Sequence, residues 1–302
     1  MIHLDAPAES PAGIAYSAAV PGESIQYSGE SVADAEVLVA GGAVDALLAS
    51  AKRLRWVAFW NAGIDASLTP ALLERIAQGL LVTNASGVHG PQMAEHAFAL
   101  ILAHTRGIAD FVRSQAKSIW NRAAYEGRGI EELSGQSLGN IGMGVIGRAL
   151  EARALAFEMS VVGVRRAHTK EELAAALACD HVVILVPLTD ATRGMIGRVE
   201  LAQMKSTGRF YNLARGGVTD EAALIEALRA GTIAGAGLDV FEQEPLPATS
   251  PLWAMANVVI TPHVGGVTPR YFHRTAQLFA ANLVRFRNGE PLEQIHRTAL
   301  GY

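Results

Sequence analysis

This chain of 302 residues predicts an α/β protein of two doubly wound parallel-sheet domains, on three observations. Its length is more than one ordinary core organises, which suits two domains. Short apolar runs alternate with helical patterns, as parallel strands joined by right-handed crossovers do. A glycine-rich turn, Gly142-Met-Gly-Val-Ile-Gly147, leads from an apolar strand into a helix.

Residues 1–35 give no legible pattern. Glu36-Val-Leu-Val-Ala-Gly41 reads as a buried strand and Val44 to Leu54 as a helix. Arg55-Trp-Val-Ala-Phe-Trp60 reads as a strand ending in the turn Asn61-Ala-Gly-Ile-Asp65. Thr69 caps the next helix, with Pro70 in its first position, where a missing N–H costs nothing. Leu80-Leu-Val-Thr83 is the strand that follows. From Pro91 to about Gly107 the apolar positions fit a helix that is mostly apolar around its circumference, hence buried between domains or subunits. A second α/β unit begins at Leu133-Ser-Gly-Gln-Ser-Leu-Gly-Asn-Ile-Gly142 and continues into a helix from Arg148 to Glu158. Its further strands are Ser160 to Val164, His181 to Val186, Arg209 to Leu213, Ala234 to Asp239 and Asn257 to Ile260. A last helix follows Thr268-Pro269 and runs to about Arg287.

Composition excludes several classes. Half the residues are hydrophobic, 18% are charged and the net charge is −4, so no basic field points to nucleic acid. Cys179 is the only cysteine, which rules out an intrachain disulfide and suits a reducing compartment. It sits in an apolar segment and reads as buried filler. The N-terminus, Met1-Ile-His-Leu-Asp, lacks the basic start and apolar core of a signal peptide. The longest apolar stretch, Ala97 to Ala103, is far short of the ~20 residues of a membrane span. A cytoplasmic chain is expected. No cluster has metal-ligand spacing, so no metal is expected, and His89, His96, His104 and His273 read as structural or supporting residues. Trp60 and Trp253 read as core or cleft wall.

The glycine turn has a specific physical logic. Gly142 permits the tight turn, Gly144 lets a pyrophosphate approach the backbone, and Gly147 lets helix pack on strand. The helix start at Met143, Val145 and Ile146 offers N–H groups and a positive dipole end to the phosphates. About 20 residues on, a carboxylate for the adenosine ribose is expected. The chain reads Val161-Val-Gly-Val-Arg-Arg166 instead. Two guanidiniums suit a 2′-phosphate, so Arg165 and Arg166 predict NADP over NAD. The alternative is that both are solvated loop charges and either cofactor is accepted. The loop after Arg166 is short, which leaves room for one peripheral strand fewer beside the adenine.

Three later phrases each place one reactive group at a turn after an apolar run. They are Asn212-Leu-Ala-Arg-Gly-Gly217, Leu238-Asp-Val-Phe-Glu-Gln-Glu-Pro245 and Thr261-Pro-His-Val-Gly-Gly266. Taken singly, Arg215 reads as a surface charge, Glu244 as a loop acid and His263 as a structural histidine. Taken together, at the ends of successive strands of one doubly wound sheet, they converge where such sheets bind ligands. A fork for an anion, a carboxylate and an imidazole beside a dinucleotide cradle describe reversible hydride transfer to a 2-oxo acid.

These phrases, with Asn61-Ala-Gly-Ile-Asp65, Asn84-Ala-Ser-Gly-Val-His89, Ala94-Glu-His96, Val186-Pro-Leu-Thr189 and Thr192-Arg-Gly194, occur in an order that resembles the D-isomer-specific 2-hydroxyacid dehydrogenases. The resemblance runs from about Trp56 to Gly289. It implies two Rossmann-like domains, the cofactor domain (92–267) inserted into a discontinuous substrate domain (1–91 and 268–302). It implies that Arg215 binds the substrate carboxylate and 2-oxo oxygen, and that His263 protonates the carbonyl oxygen as hydride arrives. Glu244, on the other ring nitrogen, would orient the imidazole and favour its charged form. Reduction and oxidation would then show opposing pH limbs. Backbone N–H groups of Ala62 and Gly63 would hold the substrate carboxylate. Asp239 would face the nicotinamide carboxamide and Met93 its ring, with Val186, Pro187, Thr192, Leu213, Ala214, His263 and Gly265 also lining the cofactor. A homodimer is implied, with the Pro91–Gly107 helix near its interface.

The lack of an acid at Arg165 points to the glyoxylate/hydroxypyruvate reductase-like branch. Trp60-Asn-Ala-Gly63 has no lysine, against a phosphite dehydrogenase. Glu244 stands where formate dehydrogenases carry glutamine, and that suits proton chemistry. The competing reading is a dinucleotide-sensing, corepressor-like binding protein of the same fold, without turnover.

Overall fold

The computed structural model describes residues 1–120, 122–123 and 129–296. The chain forms two compact α/β units, residues 1–89 with 267–302 and residues 90–266. Each contains one sheet whose paired strands are all parallel, as the sequence predicts.

The first unit has a five-stranded sheet in the order β2-β1-β3-β4-β5. The strands are β1 (Ile2–Leu4), β2 (Ile25–Tyr27), β3 (Val37–Ala40), β4 (Trp56–Phe59) and β5 (Leu81–Thr83). Helices α1 (Pro11–Ala19) and α10 (Tyr271–Asn288) cover one face, while α2 (Asp45–Ser50) and α3 (Pro70–Ala77) cover the other. Trp56 anchors the first face, stacked on Phe279 at 5.2 Å, and its indole N–H donates to Thr83 Oγ1 at 2.9 Å. A buried indole needs such a partner. Thr69 caps α3 by accepting from the Leu72 N–H, with Pro70 following it. Helix α2 is shorter than its apolar pattern suggests. The chain turns at Ala51, and both Ala51 and Leu54 are buried in that turn.

The second unit has a six-stranded sheet in the order β11-β10-β9-β8-β6-β7. Its strands are β6 (Ser137–Ile141), β7 (Ser160–Val164), β8 (His181–Ile184), β9 (Arg209–Asn212), β10 (Gly235–Leu238) and β11 (Val258–Ile260). Helices α6 (Val145–Ala156), α7 (Lys170–Leu177), α8 (Arg198–Leu201) and α9 (Glu221–Ala230) follow or link them. Because the loop after Arg166 is short, β7 is the edge of the sheet and α7 leads straight back to β8. Helix α6 starts three residues earlier than its pattern suggests, because Gly144 takes the extended cap conformation. Within this unit, helix α4 (Gly90–Thr105) packs against α6, β9, β10 and β11. Several exposed apolar residues cluster on and after α5 (Ile108–Gln115), among them Ile108, Val112, Ile119 and Trp120.

Strand order reverses between β6 and β8, which opens a crevice at the carboxyl ends of the strands. The opposite end of the sheet carries a buried polar network. His181 Nε2–H donates to Gln136 Oε1 at 2.6 Å, and His181 Nδ1 lies 3.1 Å from the Tyr211 hydroxyl. Arg209 makes a two-pronged pair with Glu131, and the His104 Nε2–H donates to the Ala236 carbonyl at 3.0 Å. Burial, with Arg209 close by, pushes His181 down to about 4, and burial does the same to His104. Both rings are therefore neutral when folded, while in the unfolded chain they take up protons below about 6.5. Stability is fully present above that pH and declines as pH falls towards 4, by on the order of 3 kcal/mol for the fully buried His181. Urea midpoints at pH 7 and pH 5 should differ accordingly, and His181→Leu should flatten the slope. An unchanged slope in that variant would place the acid sensitivity elsewhere.

Among the described residues, no helix is long and apolar enough to cross a membrane, and no group of three or more His, Cys, Asp or Glu side chains is placed to hold a metal.

Candidate active site

Every second-unit residue singled out in the glycine turn and the three later phrases follows the carboxyl end of a strand of one sheet. The glycine turn follows β6, Arg165 and Arg166 follow β7, and Val186 and Pro187 follow β8. Arg215 follows β9, Asp239 and Glu244 follow β10, and His263 follows β11.

The glycine turn fits a dinucleotide on steric grounds. Gly142 has φ +124°, and a Cβ there would lie 2.7 Å from the Leu185 carbonyl carbon. A Cβ at Gly147 would lie 2.3 Å from the Gly142 oxygen, so only glycine allows α6 to approach β6. Gly144 faces open space, with nothing within 4 Å of the position its Cβ would take. No side chain caps α6, and its first turn carries no acid, so its N–H groups and dipole end suit a pyrophosphate. Thr192 shapes the loop after β8. Its hydroxyl donates to the Pro187 carbonyl at 2.6 Å and accepts from the Thr189 N–H at 2.8 Å, which closes the loop after β8. Arg165 and Arg166 are exposed at the sheet edge, where His168 Nδ1–H donates to the Arg165 carbonyl at 2.8 Å.

The loop after β9 is built by Asn212. Its amide donates to the Arg215 carbonyl at 3.0 Å and to Thr219 Oγ1 at 3.2 Å, and its oxygen accepts from the Ala214 N–H at 3.0 Å. Arg215 is half-buried, and one Nη donates to the Ala214 carbonyl at 2.7 Å. Leu213 and Ala214 are buried beneath it.

His263 and Glu244, nineteen residues apart, meet at 2.6 Å between Nδ1 and Oε2. The other carboxylate oxygen of Glu244 accepts from the Phe241 N–H at 3.0 Å, so the acid is fixed at both ends. An Nδ1–H donor to a carboxylate leaves Nε2 as the outward atom, able to give or take a proton. The His263 backbone sits at φ +53°, a region non-glycine residues seldom occupy, and its side chain is 46% exposed. Such a conformation persists only where neighbours impose it. Asp239 does so. Its carbonyl accepts from the His263 N–H at 2.9 Å, and its carboxylate accepts from the Thr261 hydroxyl at 2.6 Å. The Val264 and Gly265 N–H groups reach the same carboxylate, each at 2.9 Å. Met93 is buried on α4, its sulfur close to Gly265.

A guanidinium, a carboxylate and an imidazole thus follow three neighbouring strands, and the turn after β6 is shaped for phosphates. The model of the D-isomer specific 2-hydroxyacid dehydrogenase NAD binding domain matches residues 98–265. The chain belongs to that family. It is 37% identical over 276 residues to a glyoxylate reductase of Korarchaeum cryptofilum, covering 86% of this chain and 82% of the relative. Among solved structures it is similar to a D-isomer specific 2-hydroxyacid dehydrogenase from Xanthobacter autotrophicus in complex with NADPH and MES, with a TM-score of 0.86, 30% identity and full coverage of both chains. It is also similar to the NADPH-dependent glyoxylate/hydroxypyruvate reductase of Sinorhizobium meliloti in complex with NADP and sulfate, with a TM-score of 0.84, 26% identity and coverage of 100% and 99%. The second unit is thus the nicotinamide-dinucleotide-binding domain of this family member.

In the first unit, Ala62 and Gly63 lie in the turn after β4. The Asn61 amide donates to the Gly41 carbonyl at 2.6 Å, and the Tyr271 hydroxyl donates to the Trp60 carbonyl at 2.6 Å, so the turn is braced on both sides. No group among the described residues accepts from the Ala62 or Gly63 N–H. Sequence reasoning missed Asn212 and Thr261 as loop builders. The available signal was a polar residue closing each apolar run, which marks a side chain that must bond the turn it starts.

Proposed function

We propose that this protein reduces a small 2-oxo acid, such as glyoxylate, hydroxypyruvate or a related keto acid, to the D-2-hydroxy acid with NADPH. The observation that carries the reading is the 2.6 Å His263–Glu244 pair in the loops beside Arg215, on the sheet that bears the glycine cradle. Bound NADPH supplies the hydride, and the remaining tasks fall to the chain. Arg215, a planar fork with a permanent charge, binds the substrate carboxylate and polarises the carbonyl. The Ala62 and Gly63 N–H groups serve as further carboxylate donors. His263 gives the carbonyl oxygen its proton from Nε2, while Glu244 keeps the ring oriented. The cofactor would be held by Gly142, Met143, Gly144, Val145, Ile146 and Gly147 at its phosphates. Val186, Pro187, Leu213, Ala214 and Gly265 would line it, Met93 would face the nicotinamide ring, and Asp239 would present Oδ2 to the carboxamide. Residues 92–267 are the cofactor domain in this reading, and 1–91 with 268–302 the substrate domain.

Exposed guanidiniums at Arg165 and Arg166, where a ribose-binding acid is expected, favour NADPH over NADH. Rates on a panel of 2-oxo acids with each cofactor test both parts of the proposal, and Arg165→Asp should shift the ratio of specificity constants towards NADH. A wild-type preference for NADH overturns the cofactor assignment. Tight NADPH binding without turnover of any 2-oxo acid supports the dinucleotide-sensing alternative. The exposed apolar residues on and after α5 favour a homodimer, which sedimentation equilibrium checks against a mass of one chain. We assign the protein to the cytoplasm, in keeping with its use of NADPH and its single, reduced Cys179.

A further inference from the structure

We infer that His96, on α4, is a positioning residue for His263, holding the Thr261–Asp239 pair that fixes the turn carrying the imidazole. The inference rests on His263 being the proton donor.

Four hydrogen bonds tie the turn from Thr261 to Gly265 to one buried residue. Asp239, 2% exposed, gives its carbonyl to the His263 N–H and its carboxylate to Thr261, Val264 and Gly265. Burial opposes that negative charge. Hydrogen bonds from His96, Thr261 and the Val264 and Gly265 N–H groups outweigh it and hold the carboxyl below the ordinary aspartate value. His96 closes the set from a different element. Its Nε2 lies 2.9 Å from Thr261 Oγ1 and 3.3 Å from Asp239 Oδ1. The threonine hydrogen is already given to Asp239, so Thr261 Oγ1 can only accept from His96, and Nε2 must carry the hydrogen. The result is a directed chain from His96 through Thr261 to Asp239, in which each bond polarises the next.

Position in the fold gives that chain its leverage. Helix α4 is sixteen residues long and packs on β9, β10, β11 and α6, so it is a stiff support. His96 ties that support to the ends of β10 and β11, where Asp239 and Thr261 stand. Without it, Thr261 and Asp239 keep their mutual bond but lose the fixed donor that sets their orientation. A turn with φ +53° at His263 then has fewer constraints to impose it. The loss is one of aim, because His96 does not touch the Glu244 pair or the glycine cradle. A catalytic group displaced by an ångström costs about a hundredfold in rate.

The experiment uses the full-length protein with NADPH and the best 2-oxo acid of the panel. His96→Leu should lower kcat by about 10- to 100-fold while KM for the 2-oxo acid stays essentially unchanged. His96→Gln, whose amide N–H can reach Thr261, should recover most of the lost kcat. In ¹⁵N-histidine spectra, the His263 ring nitrogens should give one sharp set of signals in wild type and in the glutamine variant, and broadened or multiple signals in the leucine variant. A leucine variant with wild-type kcat overturns the inference, as does a kcat loss that glutamine fails to restore. If wild type turns over no 2-oxo acid, the functional proposal fails by itself, and the ring-nitrogen signals, which need no substrate, still decide the role of His96.

Discussion

Replacing His263 by asparagine lowers the reductive turnover by about 10²- to 10⁴-fold, the range that general acid catalysis contributes. Asparagine is the informative choice, because it tolerates the left-handed backbone that His263 occupies at φ +53° and so removes the imidazole without disturbing the turn. The side chain is 46% exposed and its polar partner is Glu244, so little packing is lost. Affinity for NADPH, measured by fluorescence, should change little, since the glycine cradle after β6 is untouched. The wild-type pH dependence should also go. Reduction consumes the proton on Nε2 and is expected to slow as pH rises, whereas oxidation needs the neutral ring and slows as pH falls. A variant with near-normal turnover, or one that keeps the wild-type pH limbs, would remove His263 from the proton transfer.

Gly216→Ala is the second change with a large expected effect, and its cause is purely steric. A Cβ at Gly216 would lie 1.9 Å from the carbonyl carbon and oxygen of Phe241 and 2.3 Å from the Glu242 nitrogen. These are main-chain atoms of the loop after β10, so no side-chain rotation relieves the clash. One of the two loops must move. Arg215 immediately precedes Gly216, and the Phe241 N–H is the group that fixes Glu244. The substitution therefore pushes apart the segments that carry the anion fork and the acid behind His263. We expect a stability loss of roughly 3–5 kcal/mol, the range of the most damaging single substitutions, together with loss of turnover beyond what the unfolded fraction explains. Denaturant titration and kcat on the folded fraction check the two separately. A stable, active alanine variant would show that the Phe241–Glu242 peptide is free to shift. Gly217→Ala is the control, because its nearest neighbours are the side chains of Leu188 and Arg193 at 3.4 Å or more.

Much of this site was legible because each reactive group ends an apolar run. Arg215, Glu244 and His263 stand out for that reason, and parallel strands force their carboxyl ends to one side of the sheet. The glycine turn was legible from its spacing together with the apolar strand before it and the helix after it, and the short loop after Arg166 pointed to one peripheral strand fewer beside β7. Residues 1–35 were not legible, because β1 and β2 are three residues each and too short to show a period. The apolar circumference of α4 signalled burial but could not say against what, since periodicity reports how much surface is covered and not by which element. His96 was read only as structural or supporting.

The linear chain therefore determined which groups are available: a permanent cation, an acid, an imidazole and a phosphate-shaped turn, each placed at a strand end by local pattern. Tertiary structure alone decided which of them touch. The 2.6 Å contact between residues 244 and 263, the clamp of Asp239 on the Thr261–Gly265 turn, and the intolerance of Gly216 for a single methyl all join segments separated by nineteen residues or more. Hydrogen bonds and steric exclusion act over a few ångströms of space, and sequence separation carries no record of them until the sheet brings its strand ends side by side.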